Sequence, residues 1–290
     1  MYNIRYHLVS LVAVFLALVV GLLLGSIAAE RGYLDEQQAA LVDSLRQEFD
    51  DLRQENHDIR TMCETDHAFV AEVVEGAIAG SLEGMRVAVV VGPDDAELAA
   101  AVNGTLDEAG AEVVNVVVRD ARLGLDDAEF ASTLAGLLGR PFDPADTGSL
   151  DRVAAALASE LASPAVTGDA VLRAAADTGV LDLDGWDGSV GVDAAVVSVR
   201  FDGVASDVGQ ALATALAEAG ARVCAAELSA DDSGIAQRAQ QAGISAVDHA
   251  DLPQGALSLA MVLAGRAEGY YGTGDGAGAV NPPLSQSPEP

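Results

Sequence analysis

The feature that most constrains this chain is an uncharged stretch of 22 residues, Leu8 to Ala29, close to its start. About 20 apolar residues, rising ~1.5 Å each as a helix, suffice to cross a hydrocarbon core. The stretch therefore reads as a single spanning anchor. Arg5 and His7 precede it, whereas Glu30, Asp35 and Glu36 follow it. The positive-inside bias then predicts a single-pass protein of the cytoplasmic membrane, with the N-terminus inside and the rest extracytoplasmic. A cleaved signal peptide is the competing reading, because Ser26-Ile27-Ala28 places small residues at cleavage-like positions. The apolar run exceeds the usual signal core of ~7–15 residues, which favours retention.

Within the anchor, Ala13, Ala17, Gly21, Gly25 and Ala29 recur at every fourth position. Such a stripe of small side chains lets two helix backbones approach closely, so the anchor is expected to self-associate. The plainer alternative is that Gly and Ala are simply common in spanning helices.

Beyond Gly32, where the helix is expected to loosen, the chain turns highly charged. It nevertheless carries Leu34, Leu41, Leu45, Leu52, Ile59 and Met62 at three-, four- and seven-residue spacings. That is a heptad seam, interrupted by Glu48 and Glu55 at core positions and with Phe49 one step off. A short parallel dimer of modest stability follows, so anchor and stalk together predict a homo-oligomer. A single amphipathic helix packed on the body is the alternative. Met62, Cys63 and His67 end the stalk, with Cys63 and His67 four apart on one helical face. Thiolate and imidazole suit Cu(I) or Zn(II), and a thioether is a further soft ligand for Cu(I). Two such ligands per chain are few, although a dimer doubles them; otherwise they are a stalk residue and a solvated histidine.

The remainder reads as an α/β body with an internal repeat. Met85 to Val91 is a buried strand, Asp95 to Ala109 a helix ending at Gly110, and Val113 to Val118 a strand. Ala194 to Arg200, Asp207 to Ala219 and Arg222 to Leu228 repeat that layout. Leu106-Asp107-Glu108-Ala109-Gly110-Ala111-Glu112-Val113 matches Leu216-Ala217-Glu218-Ala219-Gly220-Ala221-Arg222-Val223 closely. Two βαβ halves with parallel strands are expected. Helices near Ala128 to Gly139 and Leu150 to Ala162 lie between them, with a lobe boundary at Gly148 or in Asp182 to Gly191. The expected organisation is 1–32 cytoplasmic tip and anchor, 33–80 coiled-coil stalk, 81–190 first half with a helical insertion, 191–271 second half, and 272–290 a disordered Gly-, Pro- and Ser-rich tail. Gln254 to Gly265 reads as an amphipathic helix.

Several function classes are disfavoured. Acidic residues number 45 against 15 basic ones, all of them Arg, for a net charge of −30. Nucleic acid needs a basic footprint and is not an expected partner. Two cysteines, Cys63 and Cys224, are too few for a disulfide framework. The turn Gly92-Pro93-Asp94-Asp95 lacks a second glycine and puts carboxylates where a nucleotide phosphate would sit. Those aspartates, like the ones in Phe201 to Asp207, read as helix caps, with cation binding the alternative. Asp182-Leu183-Asp184-Gly185-Trp186-Asp187-Gly188 has Asp187 where a calcium loop needs glycine, and reads as a solvated turn. His249 has no serine or cysteine motif nearby, so no enzyme is expected.

The opening, Met1-Tyr2-Asn3-Ile4-Arg5-Tyr6-His7-Leu8-Val9-Ser10-Leu11-Val12-Ala13-Val14-Phe15-Leu16-Ala17-Leu18, resembles the N-terminus of the MctB family of actinobacterial copper transport proteins. Val247-Asp248-His249-Ala250-Asp251-Leu252-Pro253-Gln254-Gly255 and Gly269-Tyr270-Tyr271-Gly272 are similar to that family's C-terminal pattern. The resemblance covers nearly the whole chain apart from the tail. It implies a part in copper export or homeostasis, copper as the ion handled, and association with the outer envelope. The family also includes SteB-like division proteins, which implies as an alternative a noncatalytic adapter with a partner of the SteA type, supporting peptidoglycan hydrolase activation. The anchor itself has no Met, Cys or His between Leu8 and Ala29 to pass Cu(I), and one helix encloses no pore.

Overall fold

The computed structural model describes residues 4–142, 146, 148–231 and 233–283, with side chains at 30–37 and 39 outside that description. The chain divides into two compact units between Asp66 and His67. The first helix, α1 (Ile4–Ile78), begins in one and ends in the other. No proline precedes Pro93, so nothing in this run removes a backbone donor, and the helix continues through Gly32, where loosening was expected. It stops at Gly80, whose φ of 68° is a conformation that glycine adopts freely.

In the first unit, Ile4–Ala29 has a mean hydropathy of 2.9 and none of it is covered by the rest of the chain. Leu41, Leu45, Phe49, Leu52, Ile59 and Met62 are likewise exposed. Leu34, Glu30, Asp35 and Glu36 are among the side chains outside the description, as are Met1, Tyr2 and Asn3.

The second unit is built on one seven-stranded sheet. Its strands are β1 (Arg86–Val91), β2 (Glu112–Val118), β3 (Leu181–Asp184), β4 (Ala194–Ser198), β7 (Arg222–Ala226), β8 (Ser245–Val247) and β9 (Tyr270–Tyr271), in the order β3-β2-β1-β4-β7-β8-β9. A short hairpin, β5 (Arg200–Phe201) and β6 (Val204–Ala205), sits outside it. The helices are α2 (Ala96–Glu108), α3 (Ala128–Leu138), α4 (Gly148–Ala162), α5 (Pro164–Thr167), α6 (Ala170–Asp177), α7 (Asp207–Glu218), α8 (Ile235–Gln241) and α9 (Pro253–Leu263).

Both faces of the sheet are covered, which explains the near-continuous Val and Ala of the central strands. Ala88 and Val90 of β1, with Ala195 and Val197 of β4, face α4, α6, α7 and α8. Val87, Val89 and Val91, with Ala194 and Val196, face α2 and α9. The expected repeat is visible in atomic detail. Ala111 N donates to Leu106 O, and Ala221 N to Leu216 O, each at 3.0 Å. Both follow a glycine of positive φ, Gly110 and Gly220, and both leucines are fully buried.

The two halves share one sheet, because β1 pairs with β4 in parallel register, Val87 opposite Ala194 and Val91 opposite Ser198. Three expectations are corrected. The sheet is mixed, since β3 runs antiparallel to β2. Leu181–Asp184 therefore forms an edge strand where a solvated turn or lobe boundary was expected, and Asp187 beyond it accepts from Ser189 and Arg86. Finally, the segment 272–280 is bonded to the body and not a disordered tail: Gly272 N donates to Ala279 O at 2.9 Å and Gly278 N to Tyr270 O at 2.9 Å. Residues 284–290 of that expected tail lie outside the described residues.

Truncating a fully buried leucine costs about 2–5 kcal/mol. Leu106→Ala and Leu216→Ala should each lower body stability by about that amount in urea unfolding. Leu41→Ala, on the exposed helix, should leave the body transition unchanged.

Candidate functional site

In open parallel sheets, ligands bind beyond the carboxyl ends of the strands, where the strand order reverses. Here that point lies between β1, which crosses over to β2, and β4, which crosses over to β7. It is closed. Asp95 follows the turn after β1 and is completely buried. Its carboxylate accepts from Gly92 N and from Arg200 N, each at 3.0 Å, and binds the Arg200 guanidinium at Nε. The same guanidinium pairs with Asp231 at 2.8 Å and reaches the Asp94 carbonyl at 3.4 Å. A Cβ on Gly92 would lie 2.2 Å from the Arg200 carbonyl oxygen, so only glycine lets the two strand ends meet. Burial alone would lower the Arg200 pKa; the bonds from Asp95 and Asp231 reverse this and raise it above its ordinary value.

The expected helix-capping role of these aspartates is thereby corrected. Asp95 occupies the N-cap position of α2 but makes no capping bond, because its oxygens are spent on Gly92 and Arg200. In the second half Ser206 caps α7 through Gly209 N. Asp202 and Gly203 form the β5–β6 hairpin turn, both with positive φ, and Asp207 lies in the first turn of α7. A phosphate at the switch point would meet a buried carboxylate already in place.

Two further acids follow strand ends in the same way. Glu227, after β7, accepts from Ser233 Oγ at 2.5 Å, Ile235 N at 2.7 Å and Ala236 N at 3.1 Å. Asp248, after β8, accepts from Tyr270 OH at 2.8 Å, Thr273 N at 3.1 Å, Gly274 N at 2.6 Å, and contacts His249 Nδ1. His249 Nε2 is in turn 2.9 Å from Thr273 Oγ1. Burial would raise the Asp248 pKa, but the bonds from Tyr270, Gly274, His249 and Thr273 outweigh it and hold it below its ordinary value. Burial, then Asp248, push the Tyr270 phenol well up.

Carboxylate, imidazole and hydroxyl in sequence are the parts of a nucleophile relay. Here the carboxylate is also the hub for Tyr270 and two backbone amides. The amides of Thr273 and Gly274 point at Asp248 and are not free to hold an oxyanion. Gly272, at φ 145°, brings the chain so close that a Cβ would lie 1.6 Å from Asp248 Oδ1. The network is a lock that holds 272–279 along β9. Sequence reasoning noticed His249 and searched for a nearby serine or cysteine; the hydroxyl comes from a threonine 24 residues away.

The sequence-predicted site residues lie on α1. Met62, Cys63 and His67 are all exposed there, and so are Ala13, Ala17, Gly21 and Gly25 of the stripe and Leu41, Leu45, Leu52 and Ile59 of the seam. A Cβ at Gly21 or Gly25 would meet nothing within 4 Å. Cys224 is fully buried, which pushes its thiol up to about 12 and leaves Cys63 as the accessible cysteine. Among the described residues no cluster of three or more His, Cys, Asp or Glu side chains is arranged to hold a metal ion within one chain.

Breaking the central ion pair on one side should cost about 3–5 kcal/mol, because the partner charge stays buried. Asp95→Ala should show that loss in chemical unfolding, and the apolar double replacement Asp95→Leu with Arg200→Met should lose less. For the second network, the lowered Asp248 value means its contribution is complete above the ordinary carboxylate value of about 3.9 and is lost as pH falls through its folded value. Amide exchange at Thr273 and Gly274 should therefore stay slow from pH 8 to 5 and accelerate in stronger acid. Asp248→Ala should make it fast throughout.

With the site in view, comparison with known proteins gives one family. The family model described as "Copper transport outer membrane protein, MctB" matches residues 1–282. No curated protein and no solved structure matches the chain.

Proposed function

From the premise that this chain belongs to the MctB family of copper transport outer membrane proteins, we propose that it takes part in copper export or homeostasis as a membrane-anchored envelope protein. The observation that carries this is the family match, which runs unbroken from the anchor through the stalk to the last described strand and beyond it. In this reading Ile4–Ala29 spans the cytoplasmic membrane with its N-terminus inside, and the acidic body stands outside. Copies associate through the small-residue stripe and the heptad seam. Association also answers the pore problem, since one helix cannot enclose a path for an ion. Met62, Cys63 and His67 are the soft donors offered to Cu(I), supplied twice in a dimer.

A second reading, a noncatalytic dimeric adapter of the SteB type with a partner of the SteA type, is favoured by a different observation. The crevice where an α/β body would take a small ligand is filled by Asp95 and Arg200, while the seam of α1 is exposed. A body with a closed crevice and an uncovered helix face is equipped to contact proteins.

Copper accumulation and export, measured in a strain lacking the protein, separate the readings. Raised cell copper with normal septation is the expected result; normal copper handling with chained or misplaced septa decides for the adapter. At the site level, Cu(I) titration of the full chain in detergent should lose its tight phase in Cys63→Ser. An unchanged isotherm dismisses these residues as donors.

A further inference from the structure

The last turns of α1, in the unit that begins at His67, are apolar on two sides. Val74 and Ile78, at 7% and 1% exposure, pack with Leu257 and Ala260 of α9. Phe69 and Val73 remain 67% and 53% exposed, and Val70 lies beside them at 38%. At 3.6 residues per turn, the buried and the bare faces are separated by roughly 130° around the helix. A helix apolar on two such faces has two partners to find, and the body supplies one.

The register identifies the other. Leu45, Leu52 and Ile59 recur every seven residues, and the same count reaches Asp66 and then Val73. Leu41 leads by the same step through Glu48, Glu55 and Met62 to Phe69. The bare side chains on the body are therefore the a and d positions of the stalk seam, carried past the point where the charged stalk ends.

We propose that a second copy of this chain covers Phe69 and Val73, so that the homotypic interface continues from the stalk onto the body surface, with the two helices parallel. This rests on the reading of the stalk as a dimer and extends it. The anchor sets the direction, because copies that span one membrane with the same topology hold their stalks parallel. In a parallel pair each g position faces the e position of the next heptad, which pairs Asp51 with Asn56, Asp58 with Cys63, Thr65 with Val70 and Glu72 with Ala77. No acid meets an acid across these flanking pairs, while Glu48, Glu55 and Asp66 at core positions each face their own copy, a local repulsion that the apolar positions of the seam must outweigh. The body packs on the other side of the helix, so each copy keeps its own α9 contact while the pair forms.

Cysteine cross-linking of the full chain in native membranes tests this. In a Cys63→Ser background, where the remaining Cys224 is fully buried, Leu45→Cys, Val73→Cys and, as an exposed control off the seam, Glu75→Cys are treated with a mild thiol oxidant. Leu45→Cys and Val73→Cys should both give a band at twice the chain mass, at least tenfold above Glu75→Cys. A strong Leu45→Cys band with Val73→Cys no better than the control overturns the extension and leaves the stalk dimer standing. No band from either removes both. A Val73→Cys product of any other mass assigns the face to a different protein and also overturns the proposal.

Discussion

The body depends on one buried contact between its two related halves. Asp95 closes the end of β1 and Arg200 follows β4, and each strand belongs to a different repeat. Two βαβ units could pack as separate lobes with a crevice between them. The carboxylate binds both strand ends through Gly92 N and Arg200 N as well as the guanidinium, so the strands are drawn into adjacent register and the sheet is continuous. The cost of burying the charges is met only because these oxygens and donors are satisfied together, with Asp231 taking a further arm of the guanidinium. The same arrangement that makes one sheet out of two halves removes the place where a nucleotide would bind.

Glu227 and Asp248 extend that logic along the carboxyl edge. Each follows its strand and spends its oxygens on backbone amides of the next loop. Acidic residues in a protein with a net charge of −30 would be expected mainly on the surface, where they repel one another. Here a few are taken inside as staples. The edge that usually carries chemistry in such folds has become a self-satisfied row, and the longest exposed apolar faces among the described residues lie on α1.

That helix sets the functional question. Its first part is apolar throughout, its middle carries a narrow seam, and its last turns are gripped by α9 on one side. A single chain covers only the last of these. Lipid is the physical complement of the first, a second copy is the complement proposed for the second, and both proposed roles, copper handling and adapter, begin from that assembly.

Much of this was legible from residue order, because it depends on neighbours along the chain. The uncharged run, the small-residue and heptad spacings, and the paired Leu106 to Val113 and Leu216 to Val223 segments specify helices, strands and turns through local periodicity and through Gly110 and Gly220. The tertiary structure decided what those aspartates do. Asp95 looks like a helix cap from its position before α2, and becomes an ion-pair partner only because Arg200, 105 residues later, arrives beside it. Leu181–Asp184 looks like a turn from its aspartates and glycine, and becomes a strand because β2 offers an open edge. The stretch after Tyr271 looks disordered from composition, and is held because Asp248 waits with an acceptor for each of its first free amides. Periodicity is a property of neighbours; the partner of a buried charge is a property of the fold.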